Sequence, residues 1–332
     1  MPPIGYNVPP ILPHHMGLIL MLKPILKQPA KPDQEQLCIW YEPCLLNGNG
    51  RSRLSFGYII GGRYFFCETR RRDPVVLIME ITNKQFKQFS DLVYQECGIN
   101  LHDGKQQLLK ARLAKRLRAT GIKSVQKYLA YLKNNSDELV SFIDAISTNH
   151  TFFFRERHHF KYLQDCHQNI WCAASSSGEE PYSIAIHCLE QGFKPSIHAT
   201  DISTNVLQKG QQAIFPMERA RSLPMALLKK YFKKGQGKWH GFIKVRNEIR
   251  NMVVFQRYNL VTDAVPAKQY DIIFCRNVLI YFDNQTKATV VNKLHRALKK
   301  DGFLIIGGAE SLNNIEHGYS YVSPSIYAKM GA

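Results

Sequence analysis

The chain lacks a long apolar run. A helix that crosses a bilayer needs about 20 predominantly apolar residues, and the apolar run Met16–Leu22 is far shorter. No basic segment precedes that run, as a secretory signal would require. We therefore expect neither a transmembrane helix nor a signal peptide, and we predict a cytoplasmic protein.

Metal-binding patterns are also missing. The eight cysteines include no Cys-x-x-Cys pair, and no histidine cluster has the spacing of zinc ligands. We predict that the protein has no metal site. Cys172 and Cys275 fall in predicted core strands, so we expect them to be buried, reduced thiols.

Acidic residues are scarce relative to basic ones. The sequence has 26 Asp and Glu against 44 Lys and Arg, which gives a formal net charge of +18. Such a charge predicts an acidic partner, and nucleic acid, anionic lipid and an acidic protein surface all qualify. With 332 residues, 45% of them hydrophobic, the chain can form a substantial core in one large or two ordinary domains.

Residues 1–78 differ from the rest. They contain proline clusters, a glycine-rich patch and the basic run Arg70–Arg72, without a sustained hydrophobic period. We predict no fold here. Our hypothesis is a disordered extension, or upstream sequence translated from an over-long gene model whose natural start is Met79.

Residues 79–152 have helical patterning. Thr82 and Gln85 form a capping box, apolar residues then recur at helical spacing, and Gly98 ends the helix. A second helix, about Lys105–Arg118, has an apolar stripe of Leu109, Leu113 and Leu117. Shorter helices are predicted near 124–132 and 137–146. The pattern predicts a small all-α domain.

Residues 153–332 alternate strand and helix. The strand candidates are Ile170–Ala174, Ile197–Thr200, Met252–Tyr258, Asp271–Arg276 and Phe303–Gly307, with helices at 180–190, 204–213 and 286–298. Alternation of this kind predicts an α/β, doubly wound, Rossmann-like sheet. Lys233–Val245 interrupts it, and its glycines beside alternating apolar residues predict a small antiparallel β insert within about 216–252.

Several strand ends carry candidate ligand contacts. The turn Ala173–Ser183 has the strand–loop–helix form that holds nucleosides, with Glu179 near the sheet edge, although an ordinary turn fits equally. Asp201 can accept from ribose hydroxyls or cap the next helix. The pairs Asn259–Leu260 and Asn277–Val278 end two further strands, where an Asn can contact an adenine edge or simply form a turn.

The segment Thr148–Glu156 adds contacts from the helical side. Arg155 can bind a carboxylate bidentately, or it can pair with Glu156 at the surface. The neighbouring run of phenylalanines favours a buried or interfacial setting.

Together, Thr148–Glu156 and Ala173–Ser183 resemble the chemotaxis receptor methyltransferases, the CheR family, over about residues 79–330. The resemblance implies a class I methyltransferase sheet with an antiparallel edge near 318–330. It implies methyl transfer from S-adenosyl-L-methionine to receptor glutamates, with S-adenosyl-L-homocysteine as product. The implied cofactor contacts are Asn149, Thr151, Arg155, Glu179, Asp201, Asn259, Leu260, Asn277 and Val278. Ser147 and Ala174 depart mildly from the family pattern, which usually has Thr and often Cys there.

A glutamate acceptor needs no catalytic base. Its carboxylate, with a pKa of about 4.3, is already ionised near neutrality, so the enzyme must position the reactants and exclude water. No Ser–His–Asp or Cys–His constellation is evident, and the adjacent His158 and His159 are expected to point apart. Tyr281 is a candidate for the transfer cleft or a core aromatic.

Acceptor recognition is predicted at two places. Lys105, Arg112 and Arg116 share a helix stripe that, by resemblance, faces the acidic helical methylation region of the receptor; a solvated face is the alternative. The insert, with Gly235, Gly237 and Gly241, resembles a β-subdomain that binds the receptor's C-terminal peptide in some members. A plain surface hairpin is its alternative.

Two rival functions stay open. A nucleic-acid methyltransferase would fit the charge, but the Asn/Asp-Pro-Pro-Tyr/Phe loop typical of base-nitrogen methylation is replaced by Asn277–Ile280. A catalytically silent scaffold that binds cofactor and receptor is the second. We expect no nucleic-acid partner, and membrane contact only through receptors.

Overall fold

The computed structural model describes residues 39–43, 54–60, 63–69, 80–147 and 149–330. It divides into two units, Met1–Leu77 and Ile78–Ala332. Among the described residues, no helix has the length and apolar character needed to span a membrane.

The first unit contains a three-stranded antiparallel sheet in the order β1–β2–β3, formed by Ile39–Pro43, Leu54–Ile60 and Arg63–Thr69. Ile60 pairs with Arg63, which leaves the two glycines between them, a typical hairpin signal. The prediction of no fold in 1–78 is wrong for these three strands, whose period-2 runs are short. Beyond them that prediction, and the proposed start at Met79, concern residues outside the described ranges and stay predictions.

The second unit begins with four helices: α1 Asn83–Cys97, α2 Gln106–Thr120, α3 Val125–Lys133 and α4 Ser136–Ile146. Both hydrogen bonds of the predicted capping box at Thr82 and Gln85 are present, and Gly98 ends α1 with a left-handed φ of 69°. Leu109, Leu113 and Leu117 are buried in a core shared by the four helices. Burying one such leucine contributes about 1.5–3 kcal/mol. The predicted all-α domain is confirmed.

A seven-stranded sheet follows, in the order β12–β13–β11–β10–β4–β5–β9. Its strands are β4 Asn169–Ala173, β5 Ser196–Asp201, β9 Val253–Arg257, β10 Tyr270–Cys275, β11 Leu298–Ile306, β12 Ser320–Ser323 and β13 Ile326–Ala328. Pairing is parallel from β11 to β9, and β13 pairs antiparallel with β11 and β12. The doubly wound fold and its antiparallel edge are confirmed.

Helices cover both faces of this sheet: α5 Glu179–Glu190, α6 Thr204–Gln212, α8 Asn247–Arg250 and α9 Asn284–Ala297. Alternate strand residues divide between two cores: Cys172 packs in the α5 core and Cys275 in the α9 core. Both cysteines are 0% exposed and have free thiols, as predicted.

The insert forms a second antiparallel sheet in the order β6–β8–β7, made of Ile214–Pro216, Phe242–Val245 and Phe232–Lys234, with α7 Met225–Tyr231 before β7. The predicted hairpin corresponds to β7 and β8. The pattern did not indicate β6, because three residues are too few to establish a period.

Candidate functional site

A cavity opens where the strand order reverses, beside the carboxyl ends of β4 and β10. Open α/β sheets bind ligands at this topological switch point. Residues of α1, α2 and α4, the connection between α1 and α2, and the segment after α4 form its other wall. Eight of the nine predicted cofactor contacts line it: Asn149, Thr151, Arg155, Asp201, Asn259, Leu260, Asn277 and Val278. The ninth, Glu179, is elsewhere.

Asp201 ends β5 and is 6% exposed. Its two carboxylate oxygens accept from the backbone N–H groups of Ser176, at 2.9 Å, and Ser203, at 2.9 Å. Each oxygen keeps a lone pair for a ligand hydroxyl. Burial raises the pKa of Asp201 to about 6, so its charge state changes close to neutrality.

Arg155 lies on a strained turn at the cavity wall. Its neighbours Phe154 and Glu156 both have positive φ, 58° and 49°, and such a conformation in non-glycine residues costs about 1–3 kcal/mol each. The Arg155 side chain is 29% exposed, and its Nε lies 3.9 Å from Glu156 Oε1. The surface pairing weighed from sequence is therefore present but long.

Arg276 stabilises this turn from beneath. Its guanidinium, 2% exposed, donates to the Arg155 carbonyl at 2.7 Å, to Glu156 Oε2 at 3.0 Å and to Glu180 Oε2 at 2.6 Å. Burial opposes ionisation of Glu156, but the charge and hydrogen bond of Arg276 together with the Gly308 N–H outweigh it and lower the pKa of Glu156. The pKa of Glu180 is raised, because burial outweighs the same guanidinium.

The cavity carboxylate is Glu180, and Glu179 points elsewhere. Glu180 lines the cavity. Glu179, 1% exposed, accepts from Ser177 Oγ at 2.6 Å and lies 3.8 Å from Arg219 of the insert. Adjacent helical residues differ by about 100° in direction, so only one of the pair can face the ligand. The sequence prediction chose the other one.

Asn259 uses its side chain within the protein. Its Nδ2 donates to the Glu96 carbonyl at the end of α1, at 2.7 Å, and its Oδ1 accepts from the backbone of Val261 at 3.0 Å. The adenine contact predicted for this amide thus competes with a link between the helices and the sheet. Asn277, with φ 60°, remains partly exposed at the cavity.

The lining fits a nucleoside that carries an amino-acid tail. Asp201 can accept from ribose hydroxyls, Glu180 and Arg155 provide opposite charges for an amino and a carboxylate group, and Leu260 and Val278 offer apolar surface. Ser175 Oγ and Ser176 Oγ are buried there without a hydrogen-bond partner among the described residues. A buried hydroxyl without a partner costs free energy, which a bound ligand would relieve.

The ionisable side chains that line the cavity include His150, Glu180 and Asp201, whereas His158 and His159 are not part of the lining. His159 is 1% exposed and His158 is exposed, but their ring centroids are 4.2 Å apart in an edge-on contact, so the prediction that the two point apart is wrong. Burial, aided by Arg276, lowers the pKa of His159 to about 4. Tyr281 lines the cavity beside Phe282, which favours the cleft interpretation over a core aromatic.

The three residues of the predicted docking stripe have different surroundings. Lys105 lines the cavity. Arg112 is half-buried. Arg116 is held by Glu138, which accepts from Nε at 2.9 Å and from Nη2 at 2.5 Å, and Glu138 also accepts from Tyr128 Oη at 2.6 Å. Arg116 therefore has a structural partner, a possibility not considered from sequence.

The insert glycines serve the local turn. A Cβ at Gly235 would lie 2.1 Å from the Trp239 carbonyl oxygen, so the close backbone approach is to the chain itself. Gly237 and Gly241 have positive φ of 55° and 84°. Their presence is explained without a bound peptide.

Glu180 and Arg276 are the site residues that sequence reasoning missed. Both stood inside segments already selected, next to chosen positions. An arginine directly after a buried strand, with two glutamates elsewhere in the site, was the available signal, since buried charges require partners. Within the described ranges, no group of three or more potential ligands could hold a metal ion.

Comparison with known families agrees with this geometry. Residues 84–147 match the family described as "CheR methyltransferase, all-alpha domain". Residues 149–327 match "CheR methyltransferase, SAM binding domain". The two matches together cover well over half of the chain.

Characterised relatives extend the match. A chemotaxis protein methyltransferase of Borreliella burgdorferi is 36% identical over 277 residues, which covers 76% of this chain and 96% of that protein. The proteins of the same name from Salmonella typhimurium and Escherichia coli are 38% and 37% identical, over 75% of this chain and 91% and 92% of theirs.

Proposed function

The chain belongs to the CheR methyltransferase family, and from that premise we propose that it methylates glutamate side chains of chemotaxis receptors. The products are glutamyl methyl esters and S-adenosyl-L-homocysteine. The relatives named as chemotaxis protein methyltransferases support this acceptor class. The single observation that carries the proposal is the cavity at the switch point, with opposite charges and a ribose-type acceptor on its wall.

S-adenosyl-L-methionine, when bound, supplies a methyl group on a sulfonium. Asp201, Glu180 and Arg155 would hold its ribose, amino and carboxylate groups, with Asn149, Thr151, Asn277 and Val278 beside them. Arg276 fixes the turn that carries Arg155. The guanidinium of Arg155 therefore extends from a pre-organised backbone. The chain therefore contributes orientation, which can lower a barrier by about 7–11 kcal/mol in favourable cases.

The acceptor glutamate enters between the helices and the sheet. Lys105 and Tyr281 line the cavity from its two sides, and a lysine there attracts a carboxylate. A carboxylate is its own nucleophile at neutral pH, so the proposed reaction requires no general base. Arg112 extends the basic surface of α2 toward an acidic receptor helix.

The insert is proposed to hold the receptor's C-terminal peptide. Residues 214–250 contain ten Lys or Arg against two acidic residues. In the antiparallel register Lys233 lies directly opposite Lys244, and both are exposed. Like charges opposite each other destabilise a sheet, and an acidic peptide along the β7 edge would offset that repulsion.

We place this activity in the cytoplasm. The five cysteines of residues 80–330 are free thiols, which suits a reducing compartment. The receptor's methylated region would then have to be cytoplasmic.

The test is methyl transfer from tritiated S-adenosyl-L-methionine to receptor-bearing membranes. We expect label in the receptor that is released as volatile methanol by mild base, because a methyl ester is base-labile. Base-stable label, or label in added DNA or RNA, would contradict the proposal and favour the nucleic-acid alternative. Binding of S-adenosyl-L-homocysteine without any transfer would indicate a silent scaffold.

A matched pair of variants sharpens the test. Glu180→Gln should lose both transfer and cofactor binding, because Glu180 lines the cavity. Glu190→Gln, at the far end of the same helix α5, should leave both unchanged, since Glu190 contacts Lys230 and Tyr231 at the surface.

A further inference from the structure

One carboxylate joins the ends of two strands at the edge of the cavity. Glu310, in the loop after β11, accepts three backbone hydrogen bonds. Its Oε2 accepts from Asn277 N at 2.8 Å and from Gly307 N at 2.7 Å, and its Oε1 accepts from Ile280 N at 3.2 Å.

The loop after β10 needs such support. Asn277 has a left-handed φ of 60°, and after a short 3₁₀ turn at Leu279–Tyr281 the chain passes to α9. Ile280 is 54% exposed, so apolar burial of its side chain does little to hold it. The loop thus combines backbone strain at Asn277 with an exposed residue at Ile280, and between them Leu279 is fully buried in the α9 core.

The neighbouring strand is shaped for the same contact. A Cβ at Gly307 would lie 2.5 Å from Asn277 Nδ2 and 2.9 Å from both Asn277 N and Glu310 Oε2. Position 307 therefore has no room for a side chain, because Asn277 and Glu310 occupy that space. Gly307, Asn277 and the Glu310 carboxylate are therefore packed together at one point.

We propose that Glu310 is a positioning residue for methyl transfer. Its carboxylate holds the loop Asn277–Tyr281 so that Asn277 and Val278 face the nucleoside and Tyr281 faces the acceptor. The assignment rests on the proposed function for the roles of those three residues. The attachment of the loop to Glu310 is argued from the three hydrogen bonds, which add to the bond from Asn100 N to the Tyr281 carbonyl at 2.9 Å.

The two oxygens serve different ends of the loop, which allows a sharp test. Glu310→Gln keeps one acceptor oxygen and replaces the other by an amide donor. The oxygen is expected to stay with Asn277 and Gly307, which together provide two donors. The side-chain NH2 group would then face the Ile280 N–H. Because both groups are donors, no hydrogen bond can form between them, and the Tyr281 end of the loop loses its attachment to residue 310. Glu310→Ala removes both attachments.

The experiment combines hydrogen–deuterium exchange of the ligand-free protein with calorimetry and kinetics. For Glu310→Gln we expect at least tenfold faster exchange in peptides spanning 277–282, at least tenfold lower kcat, and less than threefold change in the Kd for S-adenosyl-L-homocysteine. Glu310→Ala should also weaken that Kd at least tenfold. The exposed Glu316, without a side-chain hydrogen bond among the described residues, gives the control Glu316→Gln, which should match the unaltered protein.

Three results would overturn the proposal. Unchanged hydrogen–deuterium exchange at 277–282 in both Glu310 variants would show that Glu310 does not hold this loop. A uniform rise in exchange across the sheet, with a parallel loss of Tm, would indicate a general structural role. If exchange in the loop rises as expected but the unaltered protein does not bind S-adenosyl-L-homocysteine, the proposed function is wrong. The positioning role is then wrong as well, although Glu310 still holds the loop.

Discussion

The carboxylates of Glu180 and Asp201 both line the cavity, but they have different bonding partners. Glu180 is neutralised by Arg276 at 2.6 Å, whereas Asp201 has backbone N–H donors and no cationic side chain among its hydrogen-bond partners. Removing one member of a buried ion pair typically costs about 3–5 kcal/mol. Arg276 therefore supports both the turn of Arg155 and the charge of Glu180.

The pKa of Asp201 predicts a pH dependence of ligand binding. Below its pKa of about 6 the carboxyl is protonated and becomes a weaker acceptor for ribose hydroxyls. We expect calorimetry to give about fivefold weaker binding of S-adenosyl-L-homocysteine at pH 5 than at pH 7.5, because a charged acceptor contributes about 1 kcal/mol more than a neutral one.

Asp201→Asn should bind more weakly at pH 7.5 and show a flat profile from pH 5 to 7.5. An unchanged profile in this variant would assign the titration to another group. Acid unfolding driven by protonation of Asp201 cannot explain the weaker binding expected at pH 5. Its folded pKa lies above the unfolded value of about 3.9, so its ionisation lowers stability as the pH rises through 6.

At the scale of elements, helix α2 combines a structural cation with a candidate docking cation. Arg116 closes a network with Glu138, which is 8% exposed, and with Tyr128. Arg112, one turn earlier, has no salt bridge within the described ranges. Since the two residues share a stripe, only the packing of α2 against α4 separates their roles.

Charge reversal on α2 should therefore give two different outcomes. Arg112→Glu should raise the KM for receptor about tenfold and leave cofactor affinity within twofold. Arg116→Glu should lower stability by about 2–4 kcal/mol, because two carboxylates would then meet in a half-buried site. Urea unfolding and steady-state kinetics measure the two effects.

Arg118→Glu is the matched control for the docking role. Arg118 is exposed on α2, and an offset of six residues turns it about 120° from Arg112. It should leave the KM for receptor within twofold. An equal loss in Arg112→Glu and Arg118→Glu would indicate a general charge effect and contradict a specific docking stripe.

The insert has its own prediction. Removing the C-terminal peptide from the receptor should raise its apparent KM about tenfold, and Lys244→Glu should raise the KM for the intact receptor but not for the truncated one. Lys127→Glu, an exposed change on α3, is the charge control. A Lys244→Glu effect that is equal on both receptors would refute the tether.

At the scale of the second unit, the helices are attached to the sheet through its functional edge. Asn259 donates to the Glu96 carbonyl at 2.7 Å, Asn100 N donates to the Tyr281 carbonyl at 2.9 Å, and Tyr94 Oη donates to Asp283 at 2.8 Å. Three of these partners, Asn100, Asn259 and Tyr281, line the cavity. The two walls of the cavity are thus held in register by the residues that form it.

Substitution of Gly98 tests the attachment of the helices to the sheet. A Cβ there would lie 2.7 Å from methyl carbons of both Thr286 and Val261, whereas Gly121, at the end of α2 with a similar φ of 72°, has open space around it. Gly121→Ala should cost about 1–2 kcal/mol from backbone conformation alone. Gly98→Ala should cost about 1–3 kcal/mol more and weaken S-adenosyl-L-homocysteine binding at least fivefold.

Urea unfolding and calorimetry on both variants measure these differences. Equal destabilisation by the two substitutions, with unchanged binding, would show that the contact between α1 and the sheet does not shape the cavity.

Local pattern was enough for the elements and the fold class. The capping box at Thr82, the stripe of Leu109, Leu113 and Leu117, and the strand–helix alternation are short-range signals, and helix and strand periods act over a few residues. The polar residues at strand ends were also predictable, because parallel strands bring their carboxyl ends to one edge.

The sequence by itself determined an all-α domain, a doubly wound sheet and the edge at which ligand-binding side chains gather, since these follow from hydrophobic period and strand direction. Tertiary structure alone decided that Glu180 faces the cavity instead of Glu179, that Arg116 pairs with Glu138, and that Glu310 holds the Asn277 loop. The physical reason is rotation and distance. Which of two adjacent helical residues faces inward, and which distant residue satisfies a buried charge, depend on how whole elements pack.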